Sequence, residues 1–283
     1  MNPAPVFVGG TGRSGTTMVG HLLGAHPAYY LIPIEVRFLV DPDGLCDLMA
    51  GTVEFPRFKR RISGLWWHRR FANGEERGLH KIVDEGLLDT ALAEMRATIK
   101  RDRLEAGRAF VQTLLGGLTQ ADGATQWIEM TPPNVSRGRE LLSLVPGMKL
   151  VHSVRDGRDV ASSVAQRVWG PSDVFSALDW WFERLMEAGA ACEGMSNDEL
   201  YVLDMEDLVD RDRQESLERL LAFVGVEVTD EALRYFETRV VDSRANIGRW
   251  RRDVDPKDHE RLNQRYDILL DRLEAAGAPR PRV

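Results

Sequence analysis

The chain has 283 residues, with 44 acidic against 37 lysine and arginine side chains, a net charge of −7, and 43% hydrophobic residues. Such a chain can bury one sizeable α/β core, and its acidic balance excludes general nucleic-acid binding, which relies on clustered positive charge. Two cysteines, Cys46 and Cys192, are too few for a disulfide framework, nothing has zinc-ligand spacing, and no apolar run approaches a membrane span.

The opening MNPAP carries neither a basic region nor an apolar signal core, so a cytoplasmic chain is expected. The apolar run at 5–9 predicts a strand, followed by the glycine-rich turn GTGRSGTT at 10–17 and a helix over 15–25. A short extended stretch lies near 29–33. Residues 36–121 read as several helices, with a basic, aromatic piece at 55–71 (FPRFKRRISGLWWHRRF) whose aromatics are expected to pack inward. Residues 127–129 read as a short core strand, 135–145 as a helix and 148–154 as a further strand. Helices at 157–167 and 173–193, a strand at 200–203, and helices at 212–224, 230–240 and 256–276 complete the chain. This alternation predicts an α/β, three-layer P-loop-like fold: a mostly parallel central sheet with helices on both faces and ligands at the strands' carboxyl ends. A single domain over 1–283 is expected, with a helical acceptor-binding insertion at about 42–122.

The turn at 10–17 has the chemistry of an anion site. Its glycines let the backbone curl, the following helix contributes partial positive charge, Arg13 supplies forked donors, and Ser14, Thr16 and Thr17 supply hydroxyls. Its spacing matches the triphosphate P-loop, but Thr16 replaces the lysine that reaches the β- and γ-phosphates, which weighs against a kinase. It also satisfies G-x-G-x-x-G with Glu35 some way downstream, although a dinucleotide turn does not ask for an arginine and three hydroxyls.

A second strand-to-helix junction, RDGRDVASS, places Arg155 at a strand end and Ser163 eight residues on, where both can converge on one anion. Read locally, its charges could equally be a solvated cluster at a helix start. A third, arginine-dense segment, SRANIGRWRR, follows at 243–252, with Arg244, Gly248, Trp250 and Arg251 as candidate contacts; core packing is the alternative role for Trp250.

Together these segments resemble the sulfotransferases that use 3′-phosphoadenosine-5′-phosphosulfate (PAPS). The first loop matches their 5′-phosphosulfate loop, Arg155 and Ser163 their 3′-phosphate site, and R-x-x-x-G-x-W the segment closing over that end. RSGTT, then AHP, then the I-P-x-E-x-R segment is similar to the protein-tyrosine and bacterial branches. The resemblance implies Gly12, Arg13, Ser14, Gly15, Thr16, Thr17, Arg155, Ser163, Arg244, Gly248, Trp250 and Arg251 as cofactor contacts, with no metal. Arg13 and Glu35 would be catalytic, and the acceptor a hydroxyl of a small molecule, lipid or glycan, with peripheral membrane contact allowed. A carboxylate in an apolar stretch can be tuned toward general-base work, which is the expectation for Glu35; pairing with Arg37 or capping the next helix is its structural alternative. His68 and His80 are the alternative bases, whereas His26 and His152 are expected to be structural. Two departures stand out: Met130 where many relatives carry lysine, and Met205 where many carry tyrosine. A nucleotide-dependent kinase or a degenerate nucleotide-binding scaffold remain the rival readings.

Overall fold

Side-chain alternation along the strands decides the architecture. The computed structural model describes residues 3–70 and 74–282, leaving aside the side chains of 120–122. Phe71, at the end of the basic, aromatic piece, lies outside the described residues. Strands β1 (Val6–Gly10), β2 (Tyr29–Leu31), β3 (Gln126–Glu129), β4 (Lys149–Val154) and β5 (Leu200–Asp204) form one sheet in the order β2-β3-β1-β4-β5. All four pairings are parallel, with Phe7 opposite Leu150 and Glu129.

Because successive side chains point to opposite faces, Val6, Val8, Ile128 and Val151 pack against the helices Thr16–Gly24, Arg213–Val224 and Asp230–Arg239. Phe7, Trp127 and Leu150 point the other way, into a core built by the helical region between β2 and β3 and by Leu141 and Leu144. A third cluster gathers Val154, Val160, Trp181, Trp250, Tyr266 and Leu269 where the helices Gly157–Val164, Val174–Ala191 and His259–Ala275 meet. Helices therefore cover both faces of a five-stranded parallel sheet, as the alternating pattern requires.

Three local differences have simple causes. The stretch near 29–33 pairs with β3 for three residues, which adds an edge strand to the four core strands. The helix expected over 135–145 is instead a 3₁₀ turn, Pro132–Arg137, running into the helix Gly138–Leu144. Two consecutive prolines have no N–H to donate and fit only a first turn. The last helix likewise starts at His259, after the 3₁₀ turn Pro256–Asp258.

The described residues of the region 36–121 are largely helical, including Leu45–Ala50, Phe55–Arg61, Glu85–Thr98 and Arg103–Val111. In its basic piece Phe58, Ile62, Trp66 and Trp67 are buried, while Arg57 and Arg61 pair with Asp43 outside. Among the described residues no helix is long and apolar enough to cross a membrane, and no cluster of metal-ligating side chains forms. Cys46 and Cys192 are both buried and unpaired.

Candidate active site

The carboxyl ends of β1 and β4 lie side by side, with Gly10 opposite Ser153, so the loops that follow them share one rim. Immediately after β1 the chain adopts left-handed backbone at Gly12, Arg13 and Gly15. A turn of this kind points successive N–H groups inward, as anion-binding nests do. Gly10 cannot carry a side chain, since a Cβ there would stand 2.2 Å from the Ser14 hydroxyl and 2.6 Å from the Ser153 carbonyl. The Ser153 hydroxyl donates to the Ser14 carbonyl at 2.5 Å, tying the loop to β4. The helix Thr16–Gly24 then begins with no side-chain cap, so its first N–H groups are left for an anion.

Arg13 reaches back across the rim, its Nε donating to the Ser163 hydroxyl at 2.8 Å. Arg249 donates to the same oxygen at 3.2 Å. With both guanidiniums as donors, the Ser163 proton is left for another acceptor. Arg155 lies just behind, donating to the carbonyls of Arg13 at 3.2 Å and Asn246 at 2.8 Å and pairing with Asp159 at 3.1 Å. Its Nε is buried without a hydrogen-bond partner, as is the Ser14 hydroxyl. Burial, followed by the charges of Arg167, Arg249 and Arg155, pulls the Arg13 guanidinium below its ordinary value. The loop sits in a cationic field.

Asp159 organises the third segment. Its carboxylate is fully buried and accepts from the Gly248 N–H at 2.8 Å and the Trp250 N–H at 3.1 Å, besides pairing with Arg155. One carboxylate thereby joins the β4 junction to the arginine-dense segment.

Between these parts opens a cleft of about 320 Å³, within the size range of small-ligand sites (about 300–1,000 Å³). Arg13, Arg155, Arg239, Arg244 and Arg249 supply charge along its walls, and Met18, Met205 and Tyr235 supply apolar surface. His21 stacks on Tyr235 with ring centroids 6.4 Å apart.

Of the residues expected from the sequence, Arg13, Gly15, Thr16, Thr17, Arg155 and Arg244 line this cleft, and Ser163 is one hydrogen bond behind it. Gly12 and Ser14 shape the loop, and Gly248 is held by Asp159. Trp250 is buried between the guanidiniums of Arg158 and Arg251, 4.7 and 4.8 Å from its ring centroid, so the structure gives it the packing role and puts Arg251 on the indole. Met205 fills the space above Gly15, where a Cβ would come within 2.6 Å of it, and Met130 packs against Gly20. Sequence reading passed over Arg249, Arg239, Tyr235 and above all Asp159. The signal for Asp159 was its position one helical turn beyond Arg155.

Glu35 follows β2 and meets a different environment from the apolar one expected. Its Oε2 accepts from Arg37 at 3.1 Å and from both terminal nitrogens of Arg69 at 3.2 Å. The loop that carries it is anchored by Glu129, fully buried at the end of β3, which accepts from the Val36 N–H at 2.8 Å, the Thr131 N–H at 3.0 Å and hydroxyl, and Asn134 at 2.5 Å. Burial raises the Glu129 carboxyl, and these hydrogen bonds oppose the rise. Of the alternative bases, His80 is engaged at both ring nitrogens, by the Trp67 carbonyl and Glu76, with its ring 5.2 Å from that of His68. His152 is buried and His26 receives the Ala28 N–H, both structural settings.

A P-loop-like α/β sheet with a glycine-rich anion loop at the end of its first strand defines a nucleotide-phosphate-binding class of protein. The family model described as "Sulfotransferase family" matches residues 5–230. The chain therefore belongs to the sulfotransferase family and is an enzyme of sulfuryl transfer. Among curated protein sequences none matches significantly. Solved structures with the same fold include the sulfotransferase domain of the Synechococcus PCC 7002 olefin synthase, at 19% identity and TM-score 0.53, covering 95% of each chain. The sulfotransferase domain from the curacin biosynthetic pathway gives 15% identity and TM-score 0.51, covering 86% of this chain and 82% of that one. Sulfotransferase STF1 from Mycobacterium tuberculosis H37Rv gives 16% identity and TM-score 0.50, covering 94% and 77%.

Proposed function

We propose that the cleft binds PAPS and that the enzyme passes its sulfuryl group to a hydroxyl of a small molecule, lipid or glycan. The observation that carries this reading is the shared Ser163 hydroxyl, which receives Arg13 from the first loop and Arg249 from the last segment. Two anion sites on neighbouring strand ends thereby become one continuous cationic cleft, suited to a nucleotide with a phosphate at each end of its ribose. The orphaned Arg155 Nε and Ser14 hydroxyl are further donors for such a ligand.

Bound there, the nucleotide supplies an activated sulfuryl group. The chain supplies the rest. N–H groups of residues 12–17 and the hydroxyls of Thr16 and Thr17 hold the 5′ end, while Arg155, Ser163 and Arg244 hold the 3′-phosphate. Arg13 stabilises negative charge as it develops on the departing oxygen, a role typically worth about 10²–10³ in rate for one preorganised donor. Glu35, steered by Arg37 and Arg69, takes the acceptor proton, with its loop positioned by Glu129. We assign the helical insertion at about 42–122 to the acceptor pocket of a single domain. Two buried, unpaired cysteines support a reducing, cytoplasmic setting.

Transfer from radiolabelled PAPS to a pool of hydroxyl compounds tests the reading. Wild-type protein should label at least one acceptor and Arg13→Ala should lower the rate by about 100-fold or more. Equal labelling by the variant would refute the assignment of Arg13.

A further inference from the structure

Behind the arginine-walled cleft, where β4 and β5 end, carboxyl groups crowd together and all but one have a cation. Asp159 pairs with Arg155 at 3.1 Å, Asp156 with Arg158 at 2.6 Å, and Asp204 and Asp207 with Arg211 at 2.9 and 2.7 Å. The exception is Glu206, just after β5, which among the described residues forms no ion pair. It is 9% exposed. Its Oε1 accepts the Asp156 N–H, the peptide that follows Arg155, at 3.1 Å, and its Oε2 is buried with no hydrogen-bond partner. An ionised carboxylate in that position is desolvated and uncompensated, whereas a protonated one has no charge to pair. Burial, then the charge of Asp204, pushes the Glu206 carboxyl up to about 8; Asp156 adds its charge, while the Asp156 N–H and Arg155 oppose the rise. Arg211, from the turn Asp207–Arg211, and Tyr266, from the helix His259–Ala275, also face it. Burial holds the Tyr266 hydroxyl above its ordinary value, so that group keeps its proton through the neutral range.

Resting on the PAPS reading above, we propose that Glu206 is a positioning residue that must hold a proton for the Arg155 end of the cleft to accept a phosphate, so that nucleotide binding and proton binding are coupled. Arg155 commits one terminal nitrogen to the Arg13 carbonyl and the other to Asp159 and the Asn246 carbonyl, and leaves its Nε as the donor for an anion. Asp159 already balances its charge. A second carboxylate at its back, an ionised Glu206, turns the junction net negative and repels a phosphate on its other side. With Glu206 neutral, the Asp156 N–H is still accepted and that repulsion is gone. Coupling of this kind is reciprocal: an anion on Arg155 makes Glu206 hold its proton more tightly, and the proton is drawn from solvent.

The test measures binding of 3′-phosphoadenosine-5′-phosphate (PAP) to the full-length wild type and Glu206→Gln by calorimetry at pH 7 and pH 9. Phosphate monoesters complete their second ionisation near pH 6, so the ligand itself changes little across this range. Wild-type affinity should fall about fivefold, the low end of coupling between two sites. Glu206→Gln, which keeps an oxygen for the Asp156 N–H and has no proton to lose, should show a flat profile. Titrations at pH 8.5 in buffers of different ionisation enthalpy should show proton uptake on binding in wild type and none in Glu206→Gln. A purely structural role on the Asp156 N–H would give parallel profiles and equal proton counts in the two proteins, and that result would overturn the proposal. Absence of uptake in wild type overturns it whatever the variant does. Sulfate, fully ionised throughout, is the probe that does not depend on the identity of the donor. Its thermal stabilisation of the protein should shrink from pH 7 to pH 9 in wild type but not in Glu206→Gln; equal behaviour of the two proteins also overturns the proposal. If PAP fails to bind while sulfate behaves as expected, the donor reading alone falls; if neither binds, both fall.

Discussion

Replacing Asp159 by alanine should cost more than any other single change in the site, through both stability and affinity. Its carboxylate is fully buried and serves three donors: the Arg155 guanidinium at 3.1 Å and the N–H groups of Gly248 at 2.8 Å and Trp250 at 3.1 Å. Breaking a buried ion pair on one side costs about 3–5 kcal/mol because the remaining charge stays desolvated. Each orphaned N–H adds about 1 kcal/mol, although such terms do not sum in full. Arg155 still donates to two carbonyls, which favours the low end of that range and a total of about 4 kcal/mol. At roughly 2 °C per kcal/mol for a chain of this size, Tm should fall by about 8 °C. The segment 244–252 would also lose its tether, so PAP affinity should drop at least tenfold. Asp159→Asn, which keeps the shape and one acceptor oxygen, should fall between alanine and wild type. Thermal unfolding and PAP titration of the three proteins provide the assay. An Asp159→Ala protein with wild-type Tm and wild-type PAP affinity would refute the reasoning.

Other outcomes follow from the same geometry. Arg155→Ala should weaken PAP binding by about 1.5–3 kcal/mol, the scale of hydrogen bonds to charged groups, when read by calorimetry; unchanged affinity would remove Arg155 from the 3′-phosphate site. Glu35→Gln should lower kcat by about 10²–10⁴, as loss of a general base does, with PAP affinity retained; full turnover would pass the role to His68 or His80. Burial pushes His152 down to about 4, against about 6.5 in an unfolded chain. Below pH 6.5 the unfolded chain therefore takes up a proton that the folded chain refuses, and stability present above pH 6.5 is lost as pH falls toward 4. The difference between pH 7.5 and 5 is about 2 kcal/mol. Urea unfolding of wild type and His152→Gln at both pH values should show that much less acid loss in the variant, and parallel losses would count against it.

The parts of this molecule written in consecutive residues were legible before any coordinates. Val6-Phe7-Val8 followed by glycines defines a strand and an anion loop through local sterics alone, and β4 with Arg155 repeats the device. What escaped reading depends on partners far along the chain. Asp159 looked like one charge of a solvated cluster, because its ligands at 248 and 250 are brought to it only when the chain's final quarter folds back. Glu35 read as a carboxylate among apolar residues, and only the fold delivers Arg69 to it across 34 positions. Trp250 sits in a motif that suggests a ligand contact, yet the helix His259–Ala275 and Arg158 enclose it in a core. The stretch near 29–33 did read as extended, but its place at the sheet edge rests on a three-residue pairing with β3 far along the chain.

The most direct test is calorimetry of the purified protein against PAP, with ATP plus magnesium and NAD as comparators. Tight, metal-independent binding of PAP, with the two comparators much weaker, is the expected result. Preference for ATP or NAD, or no binding of PAP, would contradict the assignment of the arginine-walled cleft to a 3′-phosphorylated sulfuryl donor.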